Sequence, residues 1–257
     1  MFLFLLAACS KDGSVNIFSV QDDIDLGAQL AEEIAADPKN YPLLDEGQFP
    51  DAYDHLYALR DSILASGEVD HADDFTWELH IIDDPKTLNA FCAPGGYIYV
   101  YTGIVAFLEH EDHLAGVLGH EMGHAAERHS TQQLTKAYGI QTLLDYLLGD
   151  VSDDLAVEIA QSLVSLEFSR EDEAEADADS VRYLCETDYA ADGAAGFFQK
   201  LIELGKEGYT PEFLSTHPSS DTRVEDIEAL AAKLGCDLTL EDEDGSQIAE
   251  LKAALPL

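Results

Sequence analysis

Two histidines four positions apart with a glutamate beside the first, His120-Glu121-Met122-Gly123-His124, are the residues of this chain best suited to chemistry. In a helix of about 3.6 residues per turn, positions i and i+4 share a face, so both imidazoles can reach one metal ion. Glu121 projects beside them toward a water on that metal, which makes the set two ligands and a base. Catalytic zinc usually takes three protein ligands and keeps a place for water, so a third ligand is required. Glu173 and Asp177, one turn apart in the acidic run Phe168 to Asp177, are the candidates. One carboxylate would bind the metal while the other accepts the free N–H of a ligating imidazole. Position alone does not decide between them, and a solvated acidic helix face is the alternative for either.

These groups need a rigid support. Leu114, Val117 and Leu118 form an apolar stripe just before the motif, and the proline-free run Glu111 to Arg128 reads as one buried helix. Other helices are expected over Asp22 to Ala36, Phe49 to Ala65, Thr131 to Leu148, Asp153 to Leu166, Arg170 to Glu186, Gly193 to Gly205 and Ser219 to Leu234. Strands are expected over Thr76 to Ile82, Ala90 to Ala93 and Tyr97 to Tyr101, the last two joined by a Pro94-Gly95-Gly96 turn. The fold class is therefore α+β, mainly helical with one small sheet. Tyr97, Ile98, Tyr99, Val100 and Tyr101 follow that turn and closely precede the metal helix, so they are expected to form an edge strand along the cleft that pairs an extended peptide.

The spacing is not the only resemblance. His120 to His124, followed downstream by Ser169-Arg170-x-x-Glu173-x-x-Ala176-Asp177, resembles the zinc peptidases of the HtpX and CAAX prenyl protease family. Asn89-Ala90-Phe91-Cys92-Ala93-Pro94-Gly95-Gly96-Tyr97-Ile98 and Ser215-Thr216-His217-Pro218-Ser219, with Arg223 after it, extend the likeness over nearly all of Asp25 to Leu230. Within that family the chain is most similar to small soluble bacterial members. The resemblance implies a zincin-like (gluzincin) domain, one Zn2+ per chain held by His120, His124 and Glu173, and degradation of misfolded cell-envelope proteins. Cys92 stands where alanine is more usual.

On this reading Glu121 is the general base of peptide hydrolysis and Asp177 supports a ligating histidine. Arg223 is a candidate for stabilising the oxyanion, or a surface arginine pairing with Glu225 or Asp226. His217, which Pro218 biases away from helical geometry, is a candidate for covering the fourth metal position at rest, or a plain surface histidine. The remaining histidines, His129 among them, show no partner pattern and read as core or surface residues. The rival reading is a periplasmic chaperone or assembly factor with a structural metal; an intact Glu121 argues against it.

The chain has 257 residues, 46% of them hydrophobic, enough for one good core. Residues 1–9 read as the end of a secretory signal with a lipobox, Leu6-Ala7-Ala8-Cys9; residues 10–19 as a tether; and 20–257 as a single peptidase domain. Acyl chains on Cys9 would anchor the protein to a membrane, and resemblance to enteric bacterial lipoproteins implies, from Ser10 in place of aspartate, the outer one, facing the periplasm. Cys185 and Cys236 are either a disulfide or two buried thiols. Fifty-two acidic against thirteen basic residues give a net charge of −39, which excludes nucleic acid as a natural partner and suits a heavily solvated surface.

Overall fold

The computed structural model describes residues 8–9, 15–206, 211–218 and 222–257, of which Ala8, Cys9, Val15 and Asp153 are described by their backbone alone. Leu6 and Ala7 of the lipobox, the tether from Ser10 to Ser14 and the expected helix start at Ser219 lie outside the described residues. Strand β1 (Ala8–Cys9) pairs antiparallel with β2 (Val15–Asn16). The segment after β2 is packed: Ile17 and Phe18 are buried, and Asn16 Nδ2 donates to Thr131 Oγ1 at 3.0 Å. The folded body therefore includes Asn16, ahead of the expected boundary at residue 20.

Helix α1 (Val20–Ala36) starts in a capping box in which the Ser19 hydroxyl accepts from Asp22 N and the Asp22 carboxylate accepts from Ser19 N, an arrangement that stabilises by about 1 kcal/mol. Helix α2 (Pro50–Ala65) begins on a proline, whose missing N–H costs nothing in the first turn. Next come the three strands β3 (Glu78–Ile82), β4 (Ala90–Ala93) and β5 (Tyr97–Tyr101), arranged β3-β5-β4. β5 runs parallel to β3 and antiparallel to β4. Tyr97 to Tyr101 is thus the central strand, which corrects its expected place at the edge. Every one of its five residues is buried, as a continuous apolar run bonded on both sides should be. The edge strands are β3 and β4, and Pro42 and Leu44 bond the outer side of β3 near its end.

Helix α3 (Thr102–Phe107), absent from the sequence reading, follows β5 without a break and leads into α4 (Glu111–Ala126), which carries the histidine motif. The single helix expected from Thr131 to Leu148 is instead α5 (His129–Tyr138) and α6 (Ile140–Leu147), divided at Gly139, whose φ of 79° is outside helical space. Helix α7 (Asp153–Ser162) passes into a 3-10 turn, Leu163–Ser165. Helices α8 (Arg170–Leu184), α9 (Gly193–Lys206), α10 (Phe213–Thr216), α11 (Arg223–Leu234) and α12 (Ser246–Ala253) complete the order. Among the described residues no helix is long and apolar enough to cross a membrane.

Helix α4 is buried on nearly every face, because α8 and α9 lie directly against its backbone. At Gly116 a Cβ would stand 2.0 Å from the Ala194 backbone nitrogen of α9, so only glycine permits this approach. The C-terminal segment, where the sequence suggested nothing after Leu234, is tied to the base of the same helix. The Asp242 carboxylate accepts from Glu111 N at 3.1 Å and from Gln247 N and Ile248 N at the start of α12. Asp112 in turn accepts from Ala190 N, Glu241 N and Asp242 N. Cys185 and Cys236 form a disulfide across 51 positions, a closure that chain entropy rates at about 4 kcal/mol. The outcome is a mainly helical zincin-like domain with one three-stranded sheet, its motif helix clamped from three sides.

Candidate active site

His120 and His124 lie one above the other on α4 with their Nε2 atoms 3.1 Å apart, and neither side chain is exposed to solvent. Glu173 reaches them from α8: its Oε2 is 3.6 Å from His120 Nε2, and its Oε1 is 3.4 Å from His124 Nε2. His217, just after α10, brings Nδ1 to 3.0 Å from Glu173 Oε1 and 3.4 Å from His120 Nε2. One ligand atom from each of these four residues falls within 4.8 Å of all the others. Four buried ligand atoms of nitrogen and carboxylate type converging on one point can hold a metal ion.

The carboxylate that sequence left open is therefore divided by role. Glu173 faces the metal position, while Asp177, one turn further along α8, turns its Oδ1 to His120 Nδ1 at 2.9 Å. That contact fixes the His120 ring with Nε2 free to ligate. Glu121, next to His120, is 1% exposed; its Oε1 has no hydrogen-bond partner and lies 3.4 Å from His217 Nε2. Burial raises the Glu121 carboxyl, with His217, His120 and the Cys92 N–H of β4 pulling the other way. Burial would raise Glu173 as well, but the facing His217, His124 and His120 outweigh it and hold the carboxyl far below its ordinary range. Burial keeps His124 well below the ordinary imidazole value, in the neutral form a metal needs.

Arg223 is where neither sequence alternative put it. It is buried, not on the surface, and its guanidinium faces the two carboxylates behind the ligands. Nε and Nη2 donate to the two Asp177 oxygens at 2.7 and 2.6 Å, Nη1 sits 2.7 Å from Glu173 Oε2, and the Phe198 ring lies 3.7 Å beneath. Its role is to hold both carboxylates in place. Tyr97 to Tyr101 is not the edge strand; the strand next to the site is β4, whose Cys92 N–H faces Glu121.

His129 was missed. It is 1% exposed, with Nδ1 3.0 Å from His124 Nδ1 and Nε2 3.5 Å from Glu175. With His124 Nε2 committed to the metal position, Nδ1 carries the proton and donates to His129. The signal was Arg128, whose left-handed backbone (φ 62°) turns the chain sharply between α4 and α5 and brings His129 back over the motif. Asp23 pairs with its guanidinium and Phe18 O accepts from Nη2 at 2.7 Å, offsetting the strain of that turn.

Above the site the described residues leave little room. Leu163, Val164, Leu166 and Phe168 meet Phe91, Cys92, Glu121 and His217 around a cavity of about 10 Å³, room for one water at most. Phe168 stacks on His124, with ring centroids 4.0 Å apart, and its N–H donates to Thr216 O.

A model described as Peptidase family M48 matches residues 57–231. The chain is 35% identical over 160 residues to the mitochondrial metalloendopeptidase OMA1 of Schizosaccharomyces pombe, covering 60% of this chain and 47% of that protein. It is 31% identical over 148 residues to the metalloprotease LoiP of Escherichia coli, covering 55% of this chain and 58% of that protein. Metalloprotease YcaL of the same organism is 30% identical over 146 residues, 54% of this chain and 57% of its own length. The chain thus spans about half the length of these curated relatives.

Proposed function

The chain belongs to peptidase family M48, and from that membership and the buried His120, His124, Glu173 and Glu121 we propose that it is a zinc-dependent endopeptidase. The observation that carries the reading is Glu121, a carboxylate with an unpartnered oxygen beside a converged ligand set. A purely structural metal has no use for it. Zinc at this donor set supplies Lewis acidity, making water a competent nucleophile near neutral pH and polarising a scissile carbonyl. Glu121 takes the proton of the attacking water and delivers it to the leaving amine, a role suited to a carboxyl raised by burial. Asp177 and His129 hold the two ligating imidazoles in register, and Arg223 holds Asp177 and Glu173.

His217 closes the fourth ligand position at rest. Its Nδ1 lies among the ligand atoms and its Nε2 against Glu121, so it stands where water and peptide must enter. Together with the segment Leu163–Phe168 it makes the described state a latched one. An entering polypeptide would pair with the edge of β4. Within the family we place the chain on the small bacterial branch resembling the HtpX and CAAX prenyl proteases. It would work in the periplasm on unfolded or misassembled envelope proteins, anchored to the outer membrane by lipid on Cys9. The Leu6-Ala7-Ala8-Cys9 run and a disulfide suited to an oxidising compartment support that address.

The purified protein is expected to digest β-casein, to stop when chelated, and to recover with zinc. His217→Ala should raise the basal rate several-fold at unchanged zinc content, about one per chain. No cleavage by either zinc-loaded protein would overturn the peptidase reading. Cleavage by both at one rate would remove only the latch.

A further inference from the structure

Beside this narrow space lies a second, much larger cavity of about 700 Å³, and the two share Val164 and Thr216 as a common wall. Its lining runs from α1 across the start of β4 to α10. Among the described residues that form it are three acids, Glu33, Asp37 and Glu212, and no base. Glu33 is held in place: Gln29 Nε2 donates to its Oε1 at 3.1 Å, and Tyr146 donates to Gln29 Oε1 at 3.0 Å. The other oxygen, Oε2, is shut off from solvent and has no hydrogen-bond partner. A buried carboxylate oxygen without a donor is costly unless a donor arrives.

The position of this cavity relative to the cleft gives it a meaning. Cys92 of β4 faces Glu121, and Asn89, which immediately precedes β4, lines the cavity. At about 3.3 Å per residue, Asn89 and Cys92 are about 10 Å apart along the edge, so an extended peptide paired with β4 would reach the cavity two to four residues from the bond facing Glu121. A long cationic side chain entering there would place apolar methylenes along Leu30, Ile34 and Tyr101 and its charge among the acids.

We propose that this cavity is a specificity pocket for a lysine or arginine side chain of the substrate, two to four residues from the scissile bond. The inference rests on the peptidase reading for its substrate, while the pocket itself can be tested without catalysis.

Peptides released from a proteome by cleavage after glutamate retain internal lysine and arginine, and mass spectrometry of their digestion maps the preference. Lysine or arginine should be enriched about five- to tenfold at one position two to four residues from the cut. Matched fluorescent peptides carrying lysine or norleucine there should differ similarly in kcat/KM. Combined Glu33→Gln and Glu212→Gln should bring that ratio close to one, whereas Glu243→Gln, an exposed acid outside the cavity, should leave it unaltered. The ratio does not depend on how much of a variant is folded. Binding of the same two peptides to Glu121→Gln, followed by anisotropy, should show the lysine preference and lose it as salt rises. A peptidase with no basic preference, or a preference that survives the double substitution, overturns the pocket. Lysine-selective binding without any cleavage would uphold the pocket and sink the peptidase reading instead.

Discussion

Glu121→Gln is expected to keep its metal and lose its proteolysis. The substitution preserves size and leaves His120, His124 and Glu173 intact, so the donor set is unchanged. What disappears is the carboxylate placed to accept the proton of the attacking water, a function typically worth about a hundredfold to ten-thousandfold in rate. Zinc content near one per chain with β-casein turnover down at least about a hundredfold is the expected result. An amide at this position also lacks the charge that faces His217, yet it leaves every ligand in place, so chelation should remove metal from the variant as readily as from the native protein. Cleavage at the native rate would exclude Glu121 as the base.

The second large effect is expected at Glu173→Gln, where metal itself should be lost. Glu173 is 2% exposed and answers two groups at once, the ligand cluster on one side and the Arg223 guanidinium on the other. A neutral amide removes the anion from both, and leaving a buried arginine without part of its counter-charge costs about 3 to 5 kcal/mol. The variant should therefore purify with little zinc and melt well below the native protein. Its neighbours separate ligation from general acidity of the helix. Glu171→Gln, at an exposed position, should retain full zinc, and Glu175→Gln, whose carboxylate lies 3.5 Å from His129 Nε2, should retain most of it. Full occupancy in Glu173→Gln would move the third ligand elsewhere.

Why sequence located the ligands but misplaced their supports follows from what each depends on. His120 and His124 are set by helical periodicity, a local property, and the apolar run before them makes the helix unambiguous. Choosing Glu173 over Asp177 required knowing how α8 crosses α4, which spacing does not encode and family likeness did. Sequence left Arg223 between an oxyanion stabiliser and a surface arginine pairing with Glu225 or Asp226; the crossing of α11 over α8 and α9 turns it inward onto Asp177 and Phe198. Tyr97 to Tyr101 shows the same limit for strands. A fully apolar run says that a strand is buried on both faces, but whether it lies at the centre or the edge depends on β3 pairing in parallel on its far side. His129 was legible in principle, since it follows directly on a tight turn after the motif. It needed the left-handed Arg128 to be recognised, and that conformation is rare for any residue with a Cβ.

The central claim is that His120, His124 and Glu173 bind one catalytic zinc ion. X-ray absorption at the zinc edge of the purified protein tests it directly, because it reads the identity of the metal and of its ligand atoms together. The expected result is zinc at about one per chain with only nitrogen and oxygen neighbours, at least two of them imidazole, and a distinct loss of one imidazole in His217→Ala. Sulfur ligation, a different bound metal, or a full zinc site whose spectrum is unchanged in Glu173→Gln would contradict it.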